Sequence, residues 1–181
     1  VASSRGLGDV YKRQSIYKST DHGKNWIEIK DGLPNSNLGK IGLAISPFDS
    51  TILYAAVETD RRNGAVYKTT NSGGSWTKMS DTVSGATGPH YYQELVASPH
   101  VFDKIYLMDT KVQVSENGGK DFYIMNESDK HVDNHSLTFK MSDPNYLLIG
   151  TDGGVYESFD DTNTWKFVAN LPLTQFYKLA V

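Results

Sequence analysis

The densest group of chemically capable side chains in this sequence runs from His131 to His135, with the carboxylate of Asp133 between two imidazoles. Three interpretations fit these residue types. The histidines and Asp133 could bind a divalent metal ion, which accepts nitrogen and oxygen ligands. Asp133 could pair with Asp152 or Asp60 as an acid and a base for glycoside hydrolysis, with a histidine tuning a pKa. Alternatively, Asp133 and His135 could hydrogen-bond backbone groups where a loop meets a strand.

The acid–base interpretation gives three catalytic candidates, Asp133, His135 and Asp152. Asp152 precedes two glycines, so it could equally stabilise a tight turn. The remaining candidates could contact a ligand without reacting: His90 and Tyr91 by stacking on a sugar ring, Arg61 and Arg62 as a clamp or as a solvated loop tip, and His131.

Composition excludes several other functions. The net charge is −3 and no Lys/Arg run exceeds two residues, so we predict no nucleic-acid partner. No apolar run approaches the roughly 20 residues that span a membrane. There are no cysteines, which excludes thiolate chemistry and disulfides. No phosphate-cradling glycine loop is present either, and we predict neither a cofactor nor a bound metal.

An eight-residue sequence motif recurs four times and ends on an aromatic residue each time. It indicates which structural elements position these candidates. We call it the turn motif. Its closing aromatics are 50, 46 and 43 residues apart, and a repeat of that length is typical of one four-stranded propeller blade. Asp or Asn at its third position can accept hydrogen bonds from the backbone of a tight turn, and Gly permits positive φ. Its expected structural residues are Ser19, Asp21, Gly23 and Trp26; Thr69, Asn71, Gly73 and Trp76; Ser115, Asn117, Gly119 and Phe122; and Ser158, Asp160 and Trp165.

The hydrophobic pattern between these motifs predicts an all-β chain without helices. We expect a β-propeller fragment with about three full four-stranded blades and a partial blade at each end, over 15–181, with blade boundaries near 38, 89, 133 and 175. Residues 1–14 lack strand alternation, and we expect a non-native or disordered segment there. Predicted inner strands cover 39–46, 93–98, 136–141 and 176–181; second strands 51–57, 104–108 and 146–150; third strands 16–19, 65–70, 111–115 and 155–158; and fourth strands 26–29, 76–79, 122–125 and 165–168.

Strand direction sorts the loops of such a blade between two faces. Each turn motif joins a third strand to a fourth and lies on one face. The loops that lead into inner strands lie on the opposite face, with the second-to-third connections. We therefore expect the candidates around Asp133 and Asp152 to lie on the face opposite the turn motifs.

The turn motif resembles the Asp-box, or BNR repeat, of sialidases, xyloglucanase-type glycoside hydrolases and sortilin-type receptors. The first two copies match it fully, whereas the third has Asn117 and Phe122 and the fourth lacks the glycine. Sialidase action normally needs three arginines, and only Arg61 and Arg62 stand in place, side by side.

A second resemblance runs from Pro89 to Ala180, to bacterial exported proteins of the BNR-repeat glycosyl hydrolase or sortilin N-terminal-like group. It implies an extracellular or periplasmic propeller that acts on or binds glycans, or else a non-catalytic scaffold for protein or peptide ligands. Its partners would be a polysaccharide or a peptide, together with the missing blades of its own parent chain. The matching segments are His90–Gln93, Asp133–His135, Gly150–Val155 and Leu173–Tyr177.

Overall fold

The computed structural model describes residues 14–60, 63–82 and 94–171. These residues form fourteen strands and no helix, and none of them belongs to a helix that could cross a membrane. The strands are β1 Ile16–Lys18, β2 Ile27–Ile29, β3 Ile41–Ile45, β4 Leu53–Asp60, β5 Asn63–Thr69, β6 Thr77–Ser80, β7 Leu95–Ala97, β8 Ile105–Leu107, β9 Gln113–Ser115, β10 Tyr123–Ile124, β11 Asn134–Lys140, β12 Asp143–Thr151, β13 Gly154–Ser158 and β14 Lys166–Phe167.

The strands assemble into one two-stranded and three four-stranded antiparallel sheets, each in simple chain order. We number them blade 1 (β1–β2), blade 2 (β3–β6), blade 3 (β7–β10) and blade 4 (β11–β14). The all-β propeller fragment predicted from the sequence is confirmed. The predicted first segment, 1–14, falls outside the described residues except for Gln14, which bridges to Leu38. The predicted strand at 176–181 lies outside them altogether.

The connection between two strands of blade 2 is shorter than predicted. The predicted strands 51–57 and 65–70 leave a polar loop from Thr59 to Asn63 between them, but β4 continues to Asp60 and β5 begins at Asn63. The ladder persists because Glu58 pairs with Gly64 and Asp60 with Asn63, across a register shift. Hydrophobic pattern alone misses this extension, since ladder hydrogen bonds do not require apolar side chains.

The blades are held together by three apolar cores, each shared between neighbouring blades. Strand alternation places one face of each sheet against the blade before it and the other against the blade after it. The core between blades 1 and 2 includes Ile16, Leu33, Val57, Tyr67 and Trp76; that between blades 2 and 3 includes Ile52, Tyr54, Val66, Leu95, Ile105 and Leu107; and that between blades 3 and 4 includes Tyr106, Met108, Val114, Leu137, Leu147, Ile149 and Trp165.

Polar clamps join the blades on the turn-motif side. Lys68 of β5 contacts both carboxylate oxygens of Asp103 at 2.7 Å, and the Tyr54 hydroxyl donates to the same carboxylate. Asp103 belongs to the β7–β8 turn of the next blade, so this contact crosses a blade boundary. Lys104 likewise reaches Asp161 of blade 4 at 3.2 Å. Burial raises the pKa of Tyr54 well above its ordinary value, because it disfavours the phenolate. The nearby Asp103 carboxylate adds to this shift, since it accepts the hydroxyl proton and repels the phenolate.

Candidate functional site

The turn motifs use their polar atoms internally. In all four copies the first-position hydroxyl accepts the N–H four residues later, at 2.8, 3.1, 2.8 and 3.0 Å in chain order. The third-position oxygen accepts the N–H four residues after it, at 2.9, 2.9, 3.0 and 2.8 Å. These bonds lower the pKa of Asp21 and Asp160, chiefly through the backbone N–H groups of Asn25 and Thr164. Atoms occupied in this way brace a turn and are poorly placed to bind a ligand.

Each motif contains two consecutive residues with positive φ. In the second copy they are Ser72 and Gly73, at 57° and 81°. In the fourth copy they are Asp161 and Thr162, at 50° and 71°. Thr162 therefore takes the place that glycine holds elsewhere, in a region that a β-branched residue rarely adopts.

The closing aromatic residues of the motifs pack to different degrees. Trp76 and Trp165 are buried in the cores toward the preceding blade, and Trp165 Nε1 donates to the Asn126 carbonyl at 2.9 Å. Phe122 packs partly buried against the core of blades 2 and 3. Trp26 is 61% exposed, and its indole N–H donates within its own motif to Gly23.

The opposite face is organised by one backbone hydrogen bond that recurs in three blades. In or just after the last part of the second strand, an N–H donates to the carbonyl of the residue that leads into the inner strand. The pairs are Glu58 to Lys40 at 3.0 Å, Met108 to Glu94 at 2.9 Å and Asp152 to Asp133 at 3.1 Å. Lys40, Glu94 and Asp133 therefore occupy equivalent positions. We call these six residues together with His135 the inner-strand rim.

Charged side chains on the rim reach one another. Lys40 Nζ of blade 2 lies 2.7 Å from Glu94 Oε1 of blade 3, which shows that rim positions of neighbouring blades lie within side-chain reach. Lys40 also donates its backbone N–H to Glu58 Oε2 at 3.1 Å. Sequence reasoning missed Lys40 and Glu94; the signal that could have found them is a charged residue at the second position of two of the predicted inner strands, 39–46 and 93–98.

Blade 4 presents the most varied chemistry on the rim. His135 Nε2 donates to Asp152 Oδ1 at 2.8 Å, and the two side chains are 44% and 62% exposed. His135 lies at a β-bulge, because Asn134 pairs with Thr151 whereas Ser136 pairs with Gly150. Such a bulge re-aims a side chain, and here it places an imidazole against a carboxylate at the surface. The pair can exchange a proton or hydrogen-bond a polar ligand.

Asp133 and His131 lie beside that pair. The Asp133 backbone has φ 62° and is held on two sides, by its N–H to the Thr110 carbonyl at 2.9 Å and by its carbonyl to Asp152. His131 donates from Nδ1 to the Val132 carbonyl at 2.6 Å. Its ring covers Gly153 so closely that a Cβ there would fall 2.5 Å from His131 Cγ. The structure thus brings together four of the residues that the sequence singled out.

The metal interpretation receives no support from the part of the chain that the structure describes. Within 14–60, 63–82 and 94–171, no three His, Asp or Glu side chains group as metal ligands would. His90, Tyr91, Arg61 and Arg62 lie outside these residues. Asp60, the other sequence-predicted partner of Asp133, is the last residue of β4.

A buried polar cluster beneath the rim was not predicted. It consists of Glu127, Lys130 and Asn134, and the side chains of Lys130 and Glu127 are 0% and 6% exposed. Burial lowers the pKa of Lys130, and its pairing with Glu127 opposes that shift. An acid and a base three residues apart in a loop normally indicate a solvated surface, so the sequence carries little signal for this cluster.

Comparison with known proteins identifies the fold. A GH74 enzyme from Niastella koreensis superposes with a TM-score of 0.66 at 16% identity, over 85% of this chain and 26% of that enzyme. A GH74 xyloglucanase from Xanthomonas campestris gives 0.66 at 20% identity, over 86% and 27%. An ancestral GH74 enzyme gives 0.63 at 19%, over 87% and 22%.

The chain thus spans about a quarter of the length of these enzymes. No protein-family model matches the sequence, and no curated protein matches it. At such identities the likeness is one of fold: the chain consists of β-propeller blades.

Proposed function

We propose that this chain is part of an exported propeller of the Asp-box type that acts on or binds glycans at the inner-strand rim, through Asp133, His135 and Asp152. The observation that carries the proposal is their convergence. Two carboxylates and an imidazole, separated by up to 19 positions in sequence, meet at one strand end through the Asp152–Asp133 backbone bond and the His135–Asp152 contact. The turn motifs on the opposite face have their polar atoms occupied, which favours the rim.

Glycoside hydrolysis by this pair sets a requirement on the spacing of its two carboxyl groups. Asp133 and Asp152 lie next to each other at the ends of β11 and β12, joined by the backbone bond. The carboxyl groups of retaining glycosidases are about 5–5.5 Å apart, and those of inverting ones about 6.5–9.5 Å. In this proposal Asp133 and Asp152 form the acid–base pair, and His135 orients Asp152. The same three groups could equally hold sugar hydroxyls without cleaving a bond.

Two further points support the glycan proposal. The superposable enzymes belong to a group that includes a xyloglucanase, which makes xyloglucan the first polysaccharide to test. The turn motif resembles the Asp-box of glycan-active propellers. The resemblance from Pro89 onward is to exported bacterial proteins, which supports our proposal that the chain acts outside the cytoplasm.

A non-catalytic scaffold that binds a protein or peptide, as sortilin-type propellers do, is the second candidate. It is favoured by the pairing of the rim side chains among themselves, Lys40 with Glu94 and His135 with Asp152. A carboxylate already engaged by a neighbouring side chain is less suited to acid–base work. In this interpretation the partly exposed pairs would open to meet charges of a peptide.

Affinity gel electrophoresis with xyloglucan and, separately, with mannan tests the proposal, alongside an assay of reducing-sugar release. Asp152→Asn should abolish retardation by xyloglucan. Asp49→Asn is the matched control, because Asp49 is an exposed turn carboxylate on the opposite face, bonded to Thr51. Retardation of neither wild type nor control, or equal loss in both variants, would count against a glycan site at the rim. Retention by an immobilised peptide library with no glycan response would favour the scaffold.

A further inference from the structure

Blade 4 departs from blades 2 and 3 at one core position. The equivalent backbone bonds place Asn134 where the other inner strands begin with the apolar residues Ile41 and Leu95. Asn134 is fully buried, and one extra residue, His135, follows it before the ladder resumes at Ser136. Blade 4 thus gives up an apolar contact and inserts a bulge at the place where the proposed site lies.

The Asn134 side chain is held from every direction. Its Nδ2 donates to the Thr110 carbonyl at 3.0 Å, with longer contacts to the Asp109 carbonyl and to both Glu127 oxygens at 3.3 Å. Its Oδ1 accepts from Lys130 Nζ at 2.6 Å. Only an amide both donates and accepts in this way, so the pattern selects asparagine.

The Glu127–Lys130 pair locks this arrangement. Lys130 Nζ donates to Glu127 Oε2 and lies 5.7 Å above the Trp165 ring, while Glu127 Oε1 accepts the Val112 N–H at 2.8 Å. The cluster therefore ties the β8–β9 connection, the β10–β11 loop and the start of β14 to one amide. A buried ion pair is weak evidence for stability, because apolar residues of similar volume often serve as well or better. Its best-attested benefit is to specify one geometry.

The backbone geometry fixed in this way is that of the two residues that flank Asn134, Asp133 and His135. The β8–β9 connection accepts the Asn134 side-chain bonds through the carbonyls of Asp109 and Thr110. The same two carbonyls accept the backbone N–H groups of Asn134 and Asp133, at 3.2 and 2.9 Å. Moving Asn134 would move both flanking residues.

We propose that Asn134 is a positioning residue: the buried Glu127–Lys130 pair fixes its amide, and the amide fixes the backbone that presents Asp133 and His135 on the rim. The role in glycan work rests on the proposed function, whereas the positioning itself does not. Asn134 is therefore expected to influence the rim without touching a ligand.

Native-state hydrogen exchange on the full chain tests the proposal. Asn134→Asp keeps the shape but removes the donors and places a second carboxylate beside Glu127. Exchange at the amides of Asp133, Asn134 and Asp152 should accelerate about tenfold or more, as expected for lost bonds to buried groups. The ¹⁵N shifts of the His135 ring should change as its contact with Asp152 is lost.

Two further variants provide a rescue and a control. Glu127→Gln combined with Asn134→Asp restores one amide and one carboxylate around Lys130 and should recover part of the protection. Asn117→Asp is the matched control, since Asp occupies the equivalent place in two other turn motifs, and it should leave the rim amides unchanged.

Three results would overturn the positioning role: unchanged rim exchange in Asn134→Asp, equal acceleration throughout blade 4, or no recovery in the double variant. Loss of rim protection in a chain whose wild type binds no xyloglucan would uphold the positioning and count against the glycan function alone. If wild type binds xyloglucan and Asn134→Asp binds equally well despite a disturbed rim, the positioning is irrelevant to the site and that part of the proposal fails.

Discussion

His135 donates from Nε2 to Asp152 Oδ1 at 2.8 Å across the first two strands of blade 4. The contact depends on the bulge between Asn134 and Ser136. Since successive residues of a strand point to opposite faces, one inserted residue decides which side chains meet at the strand end. The proposed chemistry of this chain thus depends on a local irregularity in an otherwise regular blade.

Replacing Asp133 should remove function without lowering the stability of the fold. Its φ of 62° lies in the left-handed region, which glycine adopts without steric cost. Asp133→Gly should therefore leave the free energy of unfolding unchanged or raise it by up to about 1 kcal/mol, while removing glycan binding or turnover. Asp133→Asn, which tolerates the same φ, should keep the stability of wild type and lose the function. Urea unfolding and xyloglucan retardation, measured on both variants, decide the matter; full glycan binding by Asp133→Gly would remove Asp133 from the site.

Thr162 offers a stabilising substitution. A β-branched residue at φ 71° is strained, and three other motifs carry glycine there. Thr162→Gly should raise the free energy of unfolding by about 1 kcal/mol. The reciprocal change, Gly73→Ala, should lower it by a similar amount, because a Cβ at Gly73 meets nothing closer than 3.9 Å and only the backbone is strained. A thermal shift of the same sign in both variants would contradict this account of the turn.

The turn motifs should differ in their response to acid. Asp21 and Asp160 have pKa values lowered from the ordinary 3.8 by the N–H groups they accept, so their ionised forms stabilise the turn at higher pH. That contribution is present above pH 3.8 and is lost as the pH falls through the lower folded-state pKa. The second motif has Asn71, which does not titrate, and serves as an internal control.

Hydrogen exchange of the amides at the seventh motif position measures this difference: protection at Asn25 and Thr164 should fall at acid pH while protection at Ser75 persists. Equal loss at all three amides would indicate general unfolding instead of titration of the two carboxylates.

The Lys68–Asp103 clamp should couple blades 2 and 3. Both side chains are largely buried, and Asp103 also accepts the Tyr54 hydroxyl. Lys68→Met should lower the free energy of unfolding by roughly 2–3 kcal/mol, because it leaves a carboxylate poorly compensated. Adding Asp103→Asn should restore part of that loss. Additive effects in the double-mutant cycle would mean that the two charges do not stabilise one another.

The blade architecture could be predicted from the sequence because it rests on local signals. The alternation in Ala65–Thr69 and the hairpin residues around Gly73 act over a few positions, and each is repeated. The same signals placed Asp133 and Asp152 on the face opposite the turn motifs, where the rim lies.

The remainder depends on contacts between distant residues. Lys130 and Glu127 look like solvated loop charges, and only the position of Trp165 and of the β8–β9 connection shows that they are buried. No characteristic residue type in the sequence marks the bulge at His135. The continuation of β4 to Asp60 reflects backbone pairing, which polar side chains conceal.

We propose that the inner-strand rim, and not the turn motifs, binds glycans. Titration of the ¹⁵N-labelled chain with xyloglucan oligosaccharides, followed by NMR, tests this proposal most directly. We expect saturable shift changes at Asp133, Asn134, Asp152 and Gly153, with the amides of Gly23 and Gly73 unmoved. Shift changes confined to the turn motifs, with a silent rim, would contradict it.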